Sequence, residues 1–158
     1  PLPQAQLDRF MFNVWLDYPK FEDELKVVNN TTTDHKVQLK KVLSTEEIIY
    51  FQELVRKIPV SDNVMEYAVK LSSKTRPGTT HGAEMANKYL SWGAGPRASQ
   101  FLVIGAKCNA LIKEKYSPDI EDVKAVASAI LRHRIVRNYK AEAEGVTVDT
   151  IIEELVKG

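Results

Sequence analysis

Cysteine is the scarcest chemistry in this 158-residue chain: Cys108 stands alone. A single thiol excludes an internal disulfide and fits a reducing, cytoplasmic setting. Its helical surroundings, between Ile104 and Leu111, read as a packing thiol rather than a nucleophile. No apolar run approaches the ~18 residues of a membrane-spanning helix. Charge of one sign is lacking too. Lys and Arg number 22 against 21 Asp and Glu, a formal net charge of +1. Long-range attraction to nucleic acid or an anionic membrane is therefore weak, and only a local patch could bind either. The three histidines, at 35, 81 and 133, have no zinc-like spacing. The G-x-x-x-x-G-K-[ST] phosphate loop is missing, as is an apolar strand ending in Asp-Glu to hold magnesium. No Ser-His-Asp or Cys-His arrangement is apparent. These absences predict a segment that is not an enzyme by itself. It carries no secretory leader pattern and opens Pro1-Leu2-Pro3 rather than with methionine, which reads as an excision from a longer polypeptide.

What is present suits a globular protein: 44% hydrophobic and 27% charged residues, in a length that can bury one core. Residues 2–7 predict a short helix and residues 10–16 (FMFNVWL) a strand, closed by Tyr18-Pro19. A lone strand cannot pair its backbone groups, so residues 1–19 are expected to be loosely held without a parent sheet. Residues 20–28 suggest a short acidic helix and 29–34 a polar linker. Ser44-Thr45-Glu46-Glu47 is a capping box that opens a helix with Ile48, Phe51, Val55 and Ile58 on one face, stapled by Leu43. Pro59 ends it. Ser61 is expected to cap the next helix, which turns Val64, Tyr67, Ala68 and Leu71 inward.

Residues 77–87 read as a loop and 88–92 as a strand. A long helix is predicted from Pro96 to about Lys115, with Phe101, Ile104, Cys108 and Leu111 on one side. Ser117-Pro118-Asp119 predicts another start, with Ser117 as cap and Ile120, Val123, Ala127 and Ile130 inward. Residues 133–137 alternate like a strand that can pair with 88–92. Thr147 caps a last helix carrying Val148, Ile151, Ile152 and Leu155. The fold class is mainly α: a helical bundle, with a small two-stranded β-ribbon if those two runs pair.

Three groups of residues could carry function. Gly93-Ala94-Gly95-Pro96-Arg97-Ala98 matches the G-x-G-x-x-G/A dinucleotide pattern, but the helix after it leads to another helix and not to the second strand of a βαβ unit. Pro96 instead suits a first helical position, placing Arg97 in the first turn. There a cation opposes the helix dipole, and helix donors plus guanidinium would favour a phosphate. Pairing of Arg97 with a nearby carboxylate is the equal alternative. Arg9, in Leu7-Asp8-Arg9-Phe10, reads by itself as a salt-bridged surface arginine. Arg132, His133, Arg134 and Arg137 form a basic cluster, either a solvated or salt-bridged surface or a nucleic-acid patch.

Taken together, PLPQAQLDRF, WLDYP, GAGPRAS and the run SPDIEDVKAVASAILRHRIVRNYKAEAEGVTVDTIIEELV resemble, in order, the end of the ATPase core and the helical lid of the MoxR family of AAA+ ATPases. The resemblance covers nearly the whole chain. It implies that residues 1–19 are the C-terminal edge of an α/β ATPase core, a residual helix and strand. Residues 20–60 would be linker and helical connection, and residues 61–158 the lid. It also implies that Arg9 is an arginine finger reaching the nucleotide of a neighbouring subunit in a ring. Arg97, with Pro96 beside it, would be the sensor-2 residue at the γ-phosphate. Gly95 stands where the family usually has serine, and residues 75–92 depart most from its pattern. ATP and Mg²⁺ are the implied cofactors of the intact protein, with none expected on the segment alone. Self-assembly and chaperone-like remodelling of an unidentified protein substrate are the implied activities. An independent helical interaction domain is the competing reading, and a nucleic-acid-binding domain using 132–137 the third.

Overall fold

Burial begins at Val64. A computed structural model describes residues 2–34 and 38–158, and none of those before Val64 is fully buried. The core lies between α4 (Asp62–Lys74), α6 (Pro96–Ile112), α7 (Ile120–Leu131) and α9 (Val148–Lys157). Before them come α1 (Gln4–Leu7), α2 (Phe21–Thr32) and α3 (Thr45–Lys57). Between them lie α5 (Glu84–Tyr89), β1 (Leu90–Trp92), β2 (Val136–Arg137) and α8 (Tyr139–Ala143). The mainly α class holds.

α6 and α7 form the centre because small residues let them approach. Ala98, Leu102, Gly105, Ala106 and Ala110 are the buried stripe of α6. A Cβ on Gly105 would sit 3.2 Å from both Ile130 Cδ1 and Val126 Cγ2, so that position favours having none. Val123, Ala127, Ile130 and Leu131 meet the stripe from α7, and Ile151, Ile152 and Leu155 close the core from α9. Each large aliphatic side chain buried here stabilises by about 1.5–3 kcal/mol before the entropy of ordering it.

The caps define the helix starts. Ser44 Oγ accepts from Glu47 N at 3.1 Å while Glu47 Oε2 accepts from Ser44 N at 2.7 Å, the reciprocal box expected of that sequence. Thr147 caps α9 through Thr150 N at 3.1 Å. Two expected caps differ. Ser61 occupies the cap position of α4 but makes no side-chain hydrogen bond there. α7 is capped by Asp119, not Ser117, because Asp119 and Asp122 each accept the other's backbone N–H, at 3.1 and 3.0 Å. Asp122 is fully buried, and burial pushes its pKa up. Hydrogen bonds from the Asp119 backbone, Lys115 and Asn109 outweigh that and hold it below the usual carboxylate range.

The ribbon forms, shorter than its sequence runs: β1 and β2 pair antiparallel, Leu90 opposite Arg137 and Trp92 opposite Val136. Lys88 and Tyr89 belong to α5, and residues 84–87, expected in a loop, are helical as well. The expected linker at 29–34 is helical through Thr32, since α2 runs on as far as that residue. α3 carries no fully buried residue, so its predicted apolar face is only half covered: Ile48 and Phe51 remain exposed beside α6.

The predicted strand at 10–16 is absent, and its backbone is satisfied in another way. Residues 10–16 form no regular element and lie at the end of α7, where Asn13 N donates to Ala129 O at 2.8 Å. Arg134 Nη2 donates to Phe10 O at 2.6 Å, Arg134 Nη1 to Met11 O at 3.3 Å, and Arg132 Nη1 to Asn13 O at 3.4 Å. Arginine side chains stand where a neighbouring strand would. Within the segment expected to be loose, residues 10–13 are therefore held and Arg132 stacks over the Trp15 ring at 4.7 Å, while Leu16 and Tyr18 stay exposed.

Candidate functional site

The end of α4 holds in place the loop that presents Arg97. Thr75 Oγ1 donates to Ser72 O at 2.6 Å and accepts from Ala94 N at 2.9 Å, while Arg76 Nε donates to Ala94 O at 2.8 Å. Gly93 permits this approach. A Cβ there would lie 2.3 Å from Thr75 O and 2.6 Å from Arg76 Cα, backbone atoms that cannot step aside. At Gly95 nothing lies within 4 Å of that point. Gly93→Ala is expected to destabilise by about 3 kcal/mol, the upper end of overpacking. Gly95→Ser should stay within about 0.5 kcal/mol of the parent. Denaturant unfolding of the two variants measures both.

Pro96 takes the first position of α6, and Arg97 follows with its side chain 42% exposed. Of the two readings left open for Arg97, the carboxylate one is what this structure contains. Arg97 Nη1 lies 3.0 Å from Asp8 Oδ2, across 89 residues of sequence. The dinucleotide pattern has no sheet to serve, since the one sheet among the described residues is the β1–β2 ribbon.

Asp8 joins two arginines. Its other oxygen, Oδ1, accepts from Arg134 Nε at 3.0 Å. The Arg134 side chain is 1% exposed and fans out to the carbonyls of Asp8 (2.9 Å), Phe10, Met11 and Ile130. Burial depresses the Arg134 pKa, and Asp8 opposes that shift. His133 Nε2 lies 3.0 Å from Phe10 O and 2.7 Å from Arg134 Nη1, and Gln4 Nε2 donates to His133 O at 2.7 Å. Burial holds the His133 pKa below its ordinary value, against the opposing pull of Phe10 O. Gln4, Asp8, Trp92, Gly93, Gly95 and Arg134 line an open cleft of about 530 Å³ beside this junction.

Arg9 is exposed and makes no side-chain hydrogen bond or ion pair among the described residues. The salt bridge that the sequence suggested for it belongs to its neighbour, Asp8. The basic cluster is committed internally. Arg132 pairs with Asp149 at 2.9 Å, Arg134 with Asp8, and Arg137 donates to Val146 O at 2.9 Å. Of the two readings of the cluster, Arg132 and Arg134 are found in the salt-bridged one. Cys108 is half-buried and lines an open groove together with Ile104 and Val55, and burial raises its pKa. No group of three His, Cys, Asp or Glu among the described residues could hold a metal ion. His35 and Pro1 lie outside those residues.

Asp8 and Arg134 are the pair that sequence reasoning missed. Asp8 was visible only as the neighbour of Arg9, and Arg134 only as a member of a surface-like cluster. Nothing local in the sequence marks an arginine as buried when its partners lie over 120 residues away.

Comparison with known proteins gives this geometry its context. Residues 82–155 match the AAA lid domain family. The MoxR1 chaperone of Mycobacterium tuberculosis is 30% identical over 157 residues, which make up 99% of this chain and 41% of that protein. Over residues 82–155 the chain is thus similar to an AAA lid domain, and over nearly its whole length to part of the MoxR1 chaperone. YeaC of Bacillus subtilis is 31% identical over 157 residues, 99% of this chain and 46% of its own length. A crystal structure from Cytophaga hutchinsonii, of a candidate ATPase, superimposes with a TM-score of 0.90 at 35% identity, covering 99% of this chain and 48% of that one. The chain spans less than half the length of each of these relatives. No helix among its described residues is long and apolar enough to cross a membrane.

Proposed function

We propose that this lid region works with a nucleotide-binding core in an ATP-hydrolysing ring, and that Arg97 and Arg9 are its two chemical contributions. The observation that carries the reading is the placement of Arg97: half exposed, in the first turn of α6, on a loop braced by Thr75 and Arg76. A fixed guanidinium at a helix N-terminus suits a phosphate oxygen. Arg97 would act as sensor 2 at the γ-phosphate of ATP, with Pro96 setting the helix start. Arg9, exposed and unpaired among the described residues, would reach the nucleotide of the next subunit as an arginine finger. Both roles set a preorganised cation against charge on the transferring phosphoryl group. ATP and Mg²⁺ would be held mainly by the core, since the described residues offer the metal no cluster of ligands. Residues 1–19 would be the edge of that core, 20–60 the connection and 61–158 the lid, a division supported by burial beginning at Val64. By kinship with a chaperone, the ring would remodel or mature protein partners, in the cytoplasm.

Arg97→Ala in the full-length assembly tests this. Turnover should fall, and affinity for a non-hydrolysable ATP analogue should fall relative to ADP. Arg97→Lys should rescue poorly, because a point charge lacks the planar fork of donors. Equal ATP-to-ADP preference in Arg97→Ala and parent rings would reject Arg97 as the sensor.

A further inference from the structure

The carboxylate of Asp8 is shared by two arginines that are held very differently. Arg134 is 1% exposed and bonded to four main-chain carbonyls besides Asp8 Oδ1. Arg97 is 42% exposed, and Asp8 Oδ2 is the partner of its guanidinium, at 3.0 Å. Separating Arg97 from Asp8 breaks a half-exposed ion pair, a weak interaction. Separating Arg134 from Asp8 strips a buried cation of its counter-charge, which is far more costly. The junction therefore has one arm that opens and one that does not. We propose that Asp8 is a latch for Arg97, a counter-ion that a nucleotide phosphate must displace, while Arg134 keeps the released carboxylate and the adjoining Arg9 in place.

The proposal rests on the sensor reading of Arg97 and adds regulation to it. A phosphate carrying more charge than a carboxylate, with helix donors behind it, competes for the guanidinium. Asp8 sets how strongly it must compete. Because Asp8 and Arg9 are adjacent, opening the latch removes one of the two side-chain anchors on the residue next to Arg9. Asp8 is thus a positioning residue acting through Arg97, and it touches no substrate itself.

The test uses the full-length protein and equilibrium titration with fluorescent ATPγS and ADP, read as the ratio of the two affinities. Asp8→Asn keeps the shape and removes the charge. It should raise the preference for ATPγS by about two- to fivefold, the range set by a half-exposed ion pair. Asp8→Ser, a second charge-free variant, should do the same if the first folds poorly. Asp8→Glu, which keeps the charge, should stay near the parent value. In an Arg97→Ala background, Asp8→Asn should leave the ratio unmoved. An unchanged ratio in both charge-free variants, with Arg97→Ala still lowering it, overturns the latch and spares the sensor reading. A shift that persists without Arg97 overturns the latch as well. If Arg97→Ala itself leaves the ratio untouched, the sensor reading fails and the latch fails with it.

Discussion

Arg9→Ala, placed in the assembled ring, is expected to lower turnover by roughly 10³-fold or more while leaving nucleotide affinity nearly intact. The asymmetry follows from where the charge appears. A finger supplied by a neighbour meets charge that develops mainly in the transition state, so its loss shows in kcat rather than in ground-state binding. The exposed, unpaired Arg9 side chain suits that task, because reaching a partner costs it no existing ion pair among the described residues. Arg9→Lys should recover little, for lack of the bidentate fork. Single-turnover and titration experiments on the same preparation separate the two quantities. A variant that binds ATP much more weakly but turns over normally once saturated would contradict the assignment.

Arg134→Ala is expected to release residues 2–16 from the helical core around α6 and α7 without unfolding that core. Removing this side chain strips donors from the carbonyls of Asp8, Phe10, Met11 and Ile130 and halves the cation set around the Asp8 carboxylate. Losing a buried, charge-assisted cluster of this kind costs about 3 kcal/mol or more, roughly 100-fold in a local opening equilibrium. The Asn13 amide, bonded to Ala129 O, reports on it. Hydrogen exchange at Asn13 should accelerate by about that factor, while amides in the middle of α6 and α7 keep most of their protection. Lysine should not restore it, since one ammonium cannot serve a carboxylate and four carbonyls. Unchanged exchange at Asn13 would show that other contacts hold the segment.

The helices were legible because their signals are local. The Ser44–Glu47 box, the apolar spacing from Val64 to Leu71, and Thr147 before Val148 each lie within one or two turns, and each has its counterpart in the structure. The ribbon was legible for a similar reason, since two short branched or aromatic runs needed partners and had each other. What failed was non-local. Residues 10–16 carry strand-forming side chains, but a strand needs a neighbour, and arginines from the end of α7 supply the hydrogen bonds instead. The basic run at 132–137 suggested a surface because charged residues are seldom buried, whereas Arg134 is buried by partners at the other end of the chain. At the site, Arg97 could be placed from the Gly-Ala-Gly-Pro punctuation before it. Its partner Asp8 could not.

The claim that joins these observations is that Arg9 serves a neighbouring subunit while Arg97 reads a nucleotide from the lid. Mixed rings test it most directly. Subunits lacking only Arg9 are co-assembled with subunits that keep Arg9 but lack the phosphate-binding lysine of the core. Each kind is inactive alone, so any activity in the mixture must arise where an intact Arg9 faces an intact nucleotide site across an interface. The account predicts recovered ATPase activity in rings verified to contain both kinds. Verified mixed rings that stay as inactive as either parent would contradict it.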